Sequence, residues 1–336
     1  MKVVLIILMT VASSAFAEAA SDVSSKFWNP ILSVIPSGAG AYLCLGIVLM
    51  AMQALAMRYA YLHRKTHKWA NEKEFLEAML SRTHKPAHSN TSEFPLNIKI
   101  QSLYLPAETK GGDWYDYTYH PITNRIYLCM GDVSGPGLSS AIVTMTVAGA
   151  MTGAQTIIKG AARDLTVEDS LDLLAVSAHK GVRLASPDGD RLMTMVFLCL
   201  DLNTRNLFYL NAGHPSVYIK HNEKVKPLLN RGSPLGLKDG QRSVISIPFP
   251  LGSQLLCYTD GIFENSGPQG AQIKLREMKK LMESSHPPHQ SIPLIQKLTT
   301  ETWQDHPKND DTTCLTLYFG DSLDQDEGIE KQGHQA

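Results

Sequence analysis

The spacing of hydrophobic positions along this chain changes twice. From Met1 to about Met57 apolar residues run together, and Trp69, Phe75, Leu76, Met79 and Leu80 then fall near a helical period. From about Phe94 the runs become short and alternating, as in "LNIKIQSLYLP" and "NRIYLCMGD". That alternation predicts strands there, and again in "MTMVFLCLDL", "NLFYLNAG", "SVYIK", "SVISIPF", "QLLCYTDG" and Cys314–Phe319. Helical patterns interrupt them at Leu138–Ile158, Glu168–Ala185, Ile273–Ser284 and Ile292–Gln304. Connections of hairpin size, such as "DLNTRN", make much of the sheet antiparallel, and helices inserted as blocks make the fold α+β.

The continuous apolar runs at the start predict a membrane attachment. Met1–Ala17, "MKVVLIILMTVASSAFA", carries Lys2, an apolar core and Ala15-Phe16-Ala17 before Glu18, the layout of a signal peptide. An uncleaved anchor is the other reading. Residues 18–34 are then a short periplasmic segment and 35–62 a transmembrane helix. Within it, Ala39–Met57 has neither charge nor proline and would span roughly 28 Å as a helix, about a bilayer core. Arg58, Arg64, Lys65 and Lys68 follow, whereas Glu18, Asp22 and Lys26 precede it. The positive-inside rule therefore predicts a single-pass protein of the inner membrane with the bulk of the chain in the cytoplasm. Residues 63–93 hold a basic juxtamembrane helix, including Trp69–Arg82, and the linker "THKPAHSNTSEFP". Residues 94–320 form the main domain, and 321–336 are a polar stretch that reads as a disordered tail.

Composition adds two constraints. The 336 residues carry a formal net charge of −1, so nothing global points to a nucleic-acid partner. The five cysteines (Cys44, Cys129, Cys199, Cys257 and Cys314) lie singly in apolar runs with no CxxC pair, as reduced core residues of a cytoplasmic domain do.

The candidate chemistry lies where strands end. "GGDWYD" holds Asp113 and Asp116, "GDVSG" holds Asp132, "TDG" holds Asp260, and "NDD" holds Asp310 and Asp311. Carboxylates at the ends of strands in one sheet can converge on one rim, where they repel each other and cost free energy to bury. The motifs contain no Lys or Arg to neutralise them, and no Cys/His pairs at zinc spacing occur. All-oxygen ligation suits Mg²⁺ or Mn²⁺. Glycines 111, 112, 131, 135, 137 and 261 allow backbone and substrate to approach closely. A single "TDG" is more often a turn than a ligand; three such motifs beside strands make a metal site the better reading.

Taken in order, "LPAETKGGDWYD", "MGDVSGPGLSSAIV", "YLNAGHPSVYI", "GSPLGL", "LLCYTDGIFEN" and "NDDTTCLTLYF" resemble successive blocks of the SpoIIE-like branch of the PPM metal-dependent serine/threonine protein phosphatases. The likeness covers 94–320. It implies a PPM-like β-sandwich flanked by helices in α-β-β-α layers, with two divalent cations, Mn²⁺ or Mg²⁺, at one end. By the resemblance, Asp132 bridges both ions and the Val133 carbonyl binds one of them. Asp260 and Asp310 match the ligands of the other, and Asp113 binds directly or through a water. Asp113 and Asp132 are thus the catalytic acids, serving hydrolysis of phosphoserine or phosphothreonine by a two-metal-activated water.

Three further residues keep two readings, and a fourth has one. Asp116 and Asp311 are either ligands or hydrogen-bonding orienters of their neighbours. His214 in "NAGHP" is either a general acid or part of a tight turn, and Glu264 positions the loop after "TDGIF". Pro136 is a departure, because many relatives carry His or Lys in that loop. The resemblance implies a phosphorylated protein substrate, with an anti-sigma-factor antagonist of a bacterial partner-switching pathway as the first guess. A homodimer through Trp69–Arg82 is one fate of that helix; packing on the domain or on the membrane are the others. The reading from a different class is a catalytically inactive PPM-like domain serving as a membrane-bound binding or scaffold module.

Overall fold

The structure, a computed structural model, describes residues 51, 53–70, 94–107, 111–135, 137–161, 164–238, 240–285 and 290–320. The chain divides into two units, Met1–Glu74 and Phe75–Ala336. In the first, 53–70 form one exposed helix. It contains the described end of the expected transmembrane helix together with Arg58, Arg64, Lys65 and Lys68. The rings of Tyr59, His63 and His67 follow one another along it at four-residue steps, tilted by 40° and 49°, with centroids 5.8 and 4.4 Å apart. The expected signal peptide, the periplasmic segment, the span up to residue 50, the remainder of Trp69–Arg82, the linker and the tail lie outside the described residues.

The second unit is a sandwich of two five-stranded sheets, antiparallel in every strand pair. One sheet has the order β1 (Ile98–Leu105), β10 (Thr312–Phe319), β9 (Ser253–Tyr258), β6 (Tyr218–His221), β7 (Lys224–Pro227). The other has β2 (Trp114–His120), β3 (Arg125–Val133), β4 (Met193–Asp201), β5 (Asn206–Ala212), β8 (Val244–Pro248). Helices α1 (Leu138–Gly160) and α2 (Val167–Ala185) cover the second sheet. Helix α3 (Gly261–Glu264) is a single turn after β9, and α4 (Leu275–Ser284) and α5 (Ser291–Trp303) cover the first sheet. The layers are therefore α-β-β-α, as the resemblance implied.

Two apolar surfaces per sheet explain why the strands read as nearly continuous hydrophobic runs. In β3, Tyr127, Cys129 and Val133 face α1 and α2, while Ile126, Leu128 and Met130 enter the core between the sheets. In β9, Leu255 and Cys257 enter that same core and Leu256 and Tyr258 face α4 and α5. In β10, Leu315, Leu317 and Phe319 point inward and Cys314 outward. Cys129, Cys199, Cys257 and Cys314 are buried and unpaired, consistent with their reading as core residues.

Helix α1 is long and apolar enough to cross a membrane by length and composition. It packs here as a core helix, through Val143, Val147, Met151, Ala154 and Ile158 against α2 and the sheet. Sequence periodicity misses two strands. β2, "WYDYTYH", is disguised by its acid and tyrosines, and β7, "KVKP", is a short edge strand with two lysines and a proline.

Candidate functional site: an acidic rim at one end of the sandwich

The side-chain period of two that fills the core between the sheets also aims the acids. Two residues beyond Met130, Asp132 continues the inward row of β3. Two beyond Cys257, Thr259 continues the row of β9, and two before Leu315, Thr313 begins that of β10. Thr259 and Thr313 meet Asp113, which immediately precedes β2. Thr259 Oγ1 donates to Asp113 Oδ2 at 2.8 Å and Thr313 Oγ1 to the same oxygen at 2.6 Å. The Thr313 amide in turn donates to Thr259 Oγ1 at 2.9 Å. One carboxylate oxygen of Asp113 is thus fixed from two strands of the opposite sheet.

Glycines bring the loops into contact. The Val133 amide donates to the Gly112 carbonyl at 3.3 Å. A Cβ on Gly112 would stand 2.8 Å from the Val133 carbonyl oxygen and 3.0 Å from Asp132 Oδ1, so no side chain fits there. Gly261, beside Asp260, is pressed onto the backbone of Asp311 in the same way.

Burial raises the pKa of Asp132 well above the ordinary carboxylate range, and repulsion from Asp113, Asp260, Asp310 and Asp311 adds to it. Asp113 is raised by burial, against the two threonine hydrogen bonds, with Asp311 and Asp310 pushing further. Asp310 is raised to about 6, by burial first and then by Asp260, Asp311 and Glu264. Five carboxylates therefore act on one another at a single rim, with Glu264 exposed beside them. Such a set stays ionised together only if a cation joins it.

The donor set fits hard divalent cations in its chemistry: carboxylates, together with the Val133 carbonyl that Gly112 leaves uncovered. As placed, no three His, Cys, Asp or Glu side chains among the described residues close around one point.

Three other residues from the sequence reading have different surroundings. Asp311 accepts from the Ala107 amide at 2.9 Å and the Gly112 amide at 2.7 Å, so its carboxylate ties the loop before β2 to β10. Asp116 pairs with Cys129, a residue of the helix-facing core, and takes a 2.9 Å hydrogen bond from Gln155 of α1. It lies under α1, away from the rim, and burial raises its pKa to about 6. His214 is buried in the turn after β5. Its amide donates to Asn211 Oδ1 at 2.7 Å, and Asn211 Nδ2 donates to its carbonyl at 3.0 Å. Its Nδ1 lies 3.0 Å from Thr194 Oγ1. Burial lowers its pKa to about 3. The backbone of Tyr258 works weakly against that shift, although Nε2 closes no hydrogen bond. A neutral imidazole sealed in a turn suits packing better than proton transfer. Pro136 lies outside the described residues.

Sequence reading overlooks the residues that hold the acids. Thr259 and Thr313 are two. Asn265 is a third: its amide donates to the carbonyls of Asp310 at 2.7 Å and Gly261 at 2.9 Å and to Thr312 Oγ1 at 2.9 Å. Its Oδ1 accepts from the amides of Asn309 at 2.7 Å and Asp310 at 3.1 Å. The only signal for it was its place, five residues after Asp260 in "TDGIFEN".

Comparison with known proteins agrees with this architecture. A family model described as "Stage II sporulation protein E (SpoIIE)" matches residues 123–320. Phosphoserine phosphatase RsbP of Bacillus subtilis is 27% identical over 225 residues, covering 66% of this chain and 52% of RsbP. Protein IcfG of Synechocystis is 27% identical over 188 residues, covering 51% of this chain and 30% of IcfG. The chain thus spans about half or less of the curated relatives it matches. Among solved structures, the SiaA-PP2C domain of Pseudomonas aeruginosa superposes with a TM-score of 0.61 at 20% identity, over 76% of this chain and 98% of that domain. The RsbU and RsbW domains of a Mycobacterium tuberculosis protein give a TM-score of 0.53 at 25% identity, over 66% of this chain and 60% of that one.

Proposed function

We propose, on the premise that this chain belongs to the SpoIIE family, that residues 94–320 are a serine/threonine protein phosphatase domain held at the bacterial inner membrane. The observation that carries this reading is the mutual repulsion of Asp113, Asp132, Asp260, Asp310 and Asp311 at one end of the sandwich. An acidic rim of that kind is a poor place to bind a phosphorylated segment and a good place to bind divalent cations.

In this proposal Asp132, the Val133 carbonyl, Asp260, Asp310 and Asp113 hold two Mn²⁺ or Mg²⁺ ions. When bound, the ions supply positive charge for the phosphoryl oxygens and a lowered pKa for water. The chain's own part is placement. Thr259 and Thr313 fix Asp113, Gly112 keeps the Val133 carbonyl and Asp132 Oδ1 uncovered, and Asn265 joins the Asp260 turn to the Asp310 loop. The reaction is a direct displacement. A water oxygen bonds to phosphorus, the seryl or threonyl oxygen leaves and gains a proton, and inorganic phosphate is released.

The name of RsbP as a phosphoserine phosphatase supports phosphoserine as the bond attacked. The RsbU and RsbW likeness supports a partner-switching setting, with a phosphorylated anti-sigma-factor antagonist as the first substrate to try. Membrane attachment rests on the uncharged stretch Ala39–Met57 and the basic residues that follow it. The inactive-scaffold reading draws its support from one observation, that no three side chains of the rim are closed around a point among the described residues. Hydrolysis of p-nitrophenyl phosphate by the detergent-solubilised full chain separates the two. Turnover that appears with Mn²⁺ and vanishes with EDTA supports the phosphatase; none under any divalent cation leaves the scaffold.

A further inference from the structure

Arg191 belongs to the connection between α2 and β4, on the same rim, and takes no part in the site as read above. Ser186, the residue that closes α2, fixes this connection: its hydroxyl donates to Asp190 Oδ1 at 2.6 Å and accepts from the Arg191 amide at 3.0 Å. From there Arg191 and Leu192 grip Ser134, the residue after Val133. The Ser134 amide donates to the Leu192 carbonyl at 2.9 Å, the Leu192 amide donates to Ser134 Oγ at 3.0 Å, and Arg191 Nη1 donates to the Ser134 carbonyl at 2.6 Å. Every polar group of Ser134 is thus held by two consecutive residues.

The guanidinium is itself wedged in place. Gly135 has a φ of +78°, and a Cβ there would run into Arg191 Nη1. Arg191 Nε is buried and has no hydrogen-bond partner. Among the described residues Arg191 forms no ion pair, and its guanidinium donates to a backbone carbonyl instead. An arginine anchored on a backbone carbonyl rather than on a carboxylate is placed for geometry.

We propose that Arg191 is a positioning residue for the Val133 carbonyl. The Val133 carbonyl and the Ser134 amide share one trans peptide plane and point in opposite directions. Aiming the Ser134 N–H at Leu192 therefore turns the Val133 oxygen away from β4, to the side where Gly112 leaves it uncovered. Arg191, holding the far carbonyl of the same residue, keeps that plane from rotating. This inference rests on the reading of Val133 as a metal ligand.

The test is Mn²⁺ titration of the detergent-solubilised full chain by calorimetry, with the thermal midpoint of the metal-free protein as control. Outer residues of this kind change metal affinity by about 10- to 100-fold. Arg191→Gln is expected to raise the Mn²⁺ Kd about tenfold, at the lower end of that range, while the metal-free midpoint stays within ~2 °C, as befits a half-exposed rim side chain. Arg191→Lys, which can still donate to the Ser134 carbonyl, should recover most of the affinity. Ser134→Ala, which removes the hydroxyl anchor and leaves Arg191 in place, should weaken binding in the same direction. A wild-type Kd in Arg191→Gln, with the wild type itself binding Mn²⁺, overturns this inference alone. A Kd that rises only in step with lost metal-free stability also overturns it. No Mn²⁺ binding by the wild type overturns the metal reading and this inference with it.

Discussion

The side-chain amide of Asn265 donates to the Asp310 carbonyl at 2.7 Å while its oxygen accepts from the Asp310 amide at 3.1 Å, so one buried side chain holds both backbone groups of a proposed ligand. Two more of its bonds go to Gly261 and Thr312, which ties the turn after β9 to the start of β10. Asn265→Ala would leave several of these groups unpaired in the interior. Each costs on the order of 1 kcal/mol or more. Chemical denaturation should show a loss of about 3 kcal/mol, and Mn²⁺ should bind more weakly.

Asp132→Asn is expected to act oppositely on stability and activity. It replaces a carboxyl that, without metal, either ionises against burial and four neighbouring carboxylates or takes up a proton at a cost in stability near neutral pH. Without metal, the variant should melt higher than the wild type, by about 1–2 kcal/mol of added stability. Its Mn²⁺-dependent hydrolysis of p-nitrophenyl phosphate should nevertheless be nearly lost. A lower metal-free midpoint would contradict the electrostatic account of the rim.

Asp116 gives a pH signature independent of the rim. Its pKa is raised by burial to about 6 from an ordinary 3.8, so the folded state binds its proton more tightly than the unfolded one. Its contribution is fully present below pH 3.8 and is lost as pH rises through 6. By linkage the neutral-pH cost approaches about 3 kcal/mol. Asp116→Asn, which keeps an oxygen for Gln155, should therefore be more stable than the wild type at pH 7 and equal to it near pH 3. Denaturant midpoints measured across that range check both ends.

His214 has the opposite slope. Burial holds its pKa at about 3 against an ordinary 6.5, so the folded state resists protonation. Its contribution is intact above pH 6.5 and is lost as pH falls towards 3, about 2 kcal/mol by pH 5. His214→Gln should flatten the acid limb of the stability profile. It should also keep a substantial part of the phosphatase activity, since its proposed work is in the turn. Loss of activity without loss of stability would restore a role in proton transfer.

Most of the fold was legible because its strands bury two faces and so appear as unbroken apolar runs. β4, "MTMVFLCLD", is the plainest instance. β7 was not legible, because an edge strand of four residues has almost nothing to bury. Among the acids, Asp113 and Asp116 look equivalent in "GGDWYD". Their fates differ because they stand three positions apart, an odd number: the strand starts at Trp114, and Asp116 falls on the helix-facing side with Trp114. Without knowing where β2 begins, sequence cannot make that distinction. Asp311 was readable as an acid but not as an acceptor for Ala107 and Gly112, contacts that exist only once distant segments meet.

The continuation of the inward rows of β3, β9 and β10 into Asp132, Thr259 and Thr313 also bears on how this domain can change in evolution. A deletion or insertion of one residue inside β3 would exchange the faces of everything after it. Val133 would then enter the rim and Asp132 would turn under α1, while the apolar pattern further along the strand would be spoiled as well. Strand lengths and the geometry of the acidic rim are therefore written in one reading frame, and selection for a dry interior guards the acids as a by-product. Loops carry no such frame. Length variation among descendants of this chain is expected to gather in connections away from the rim, for example between β6 and β7, and to spare the three strands that feed it.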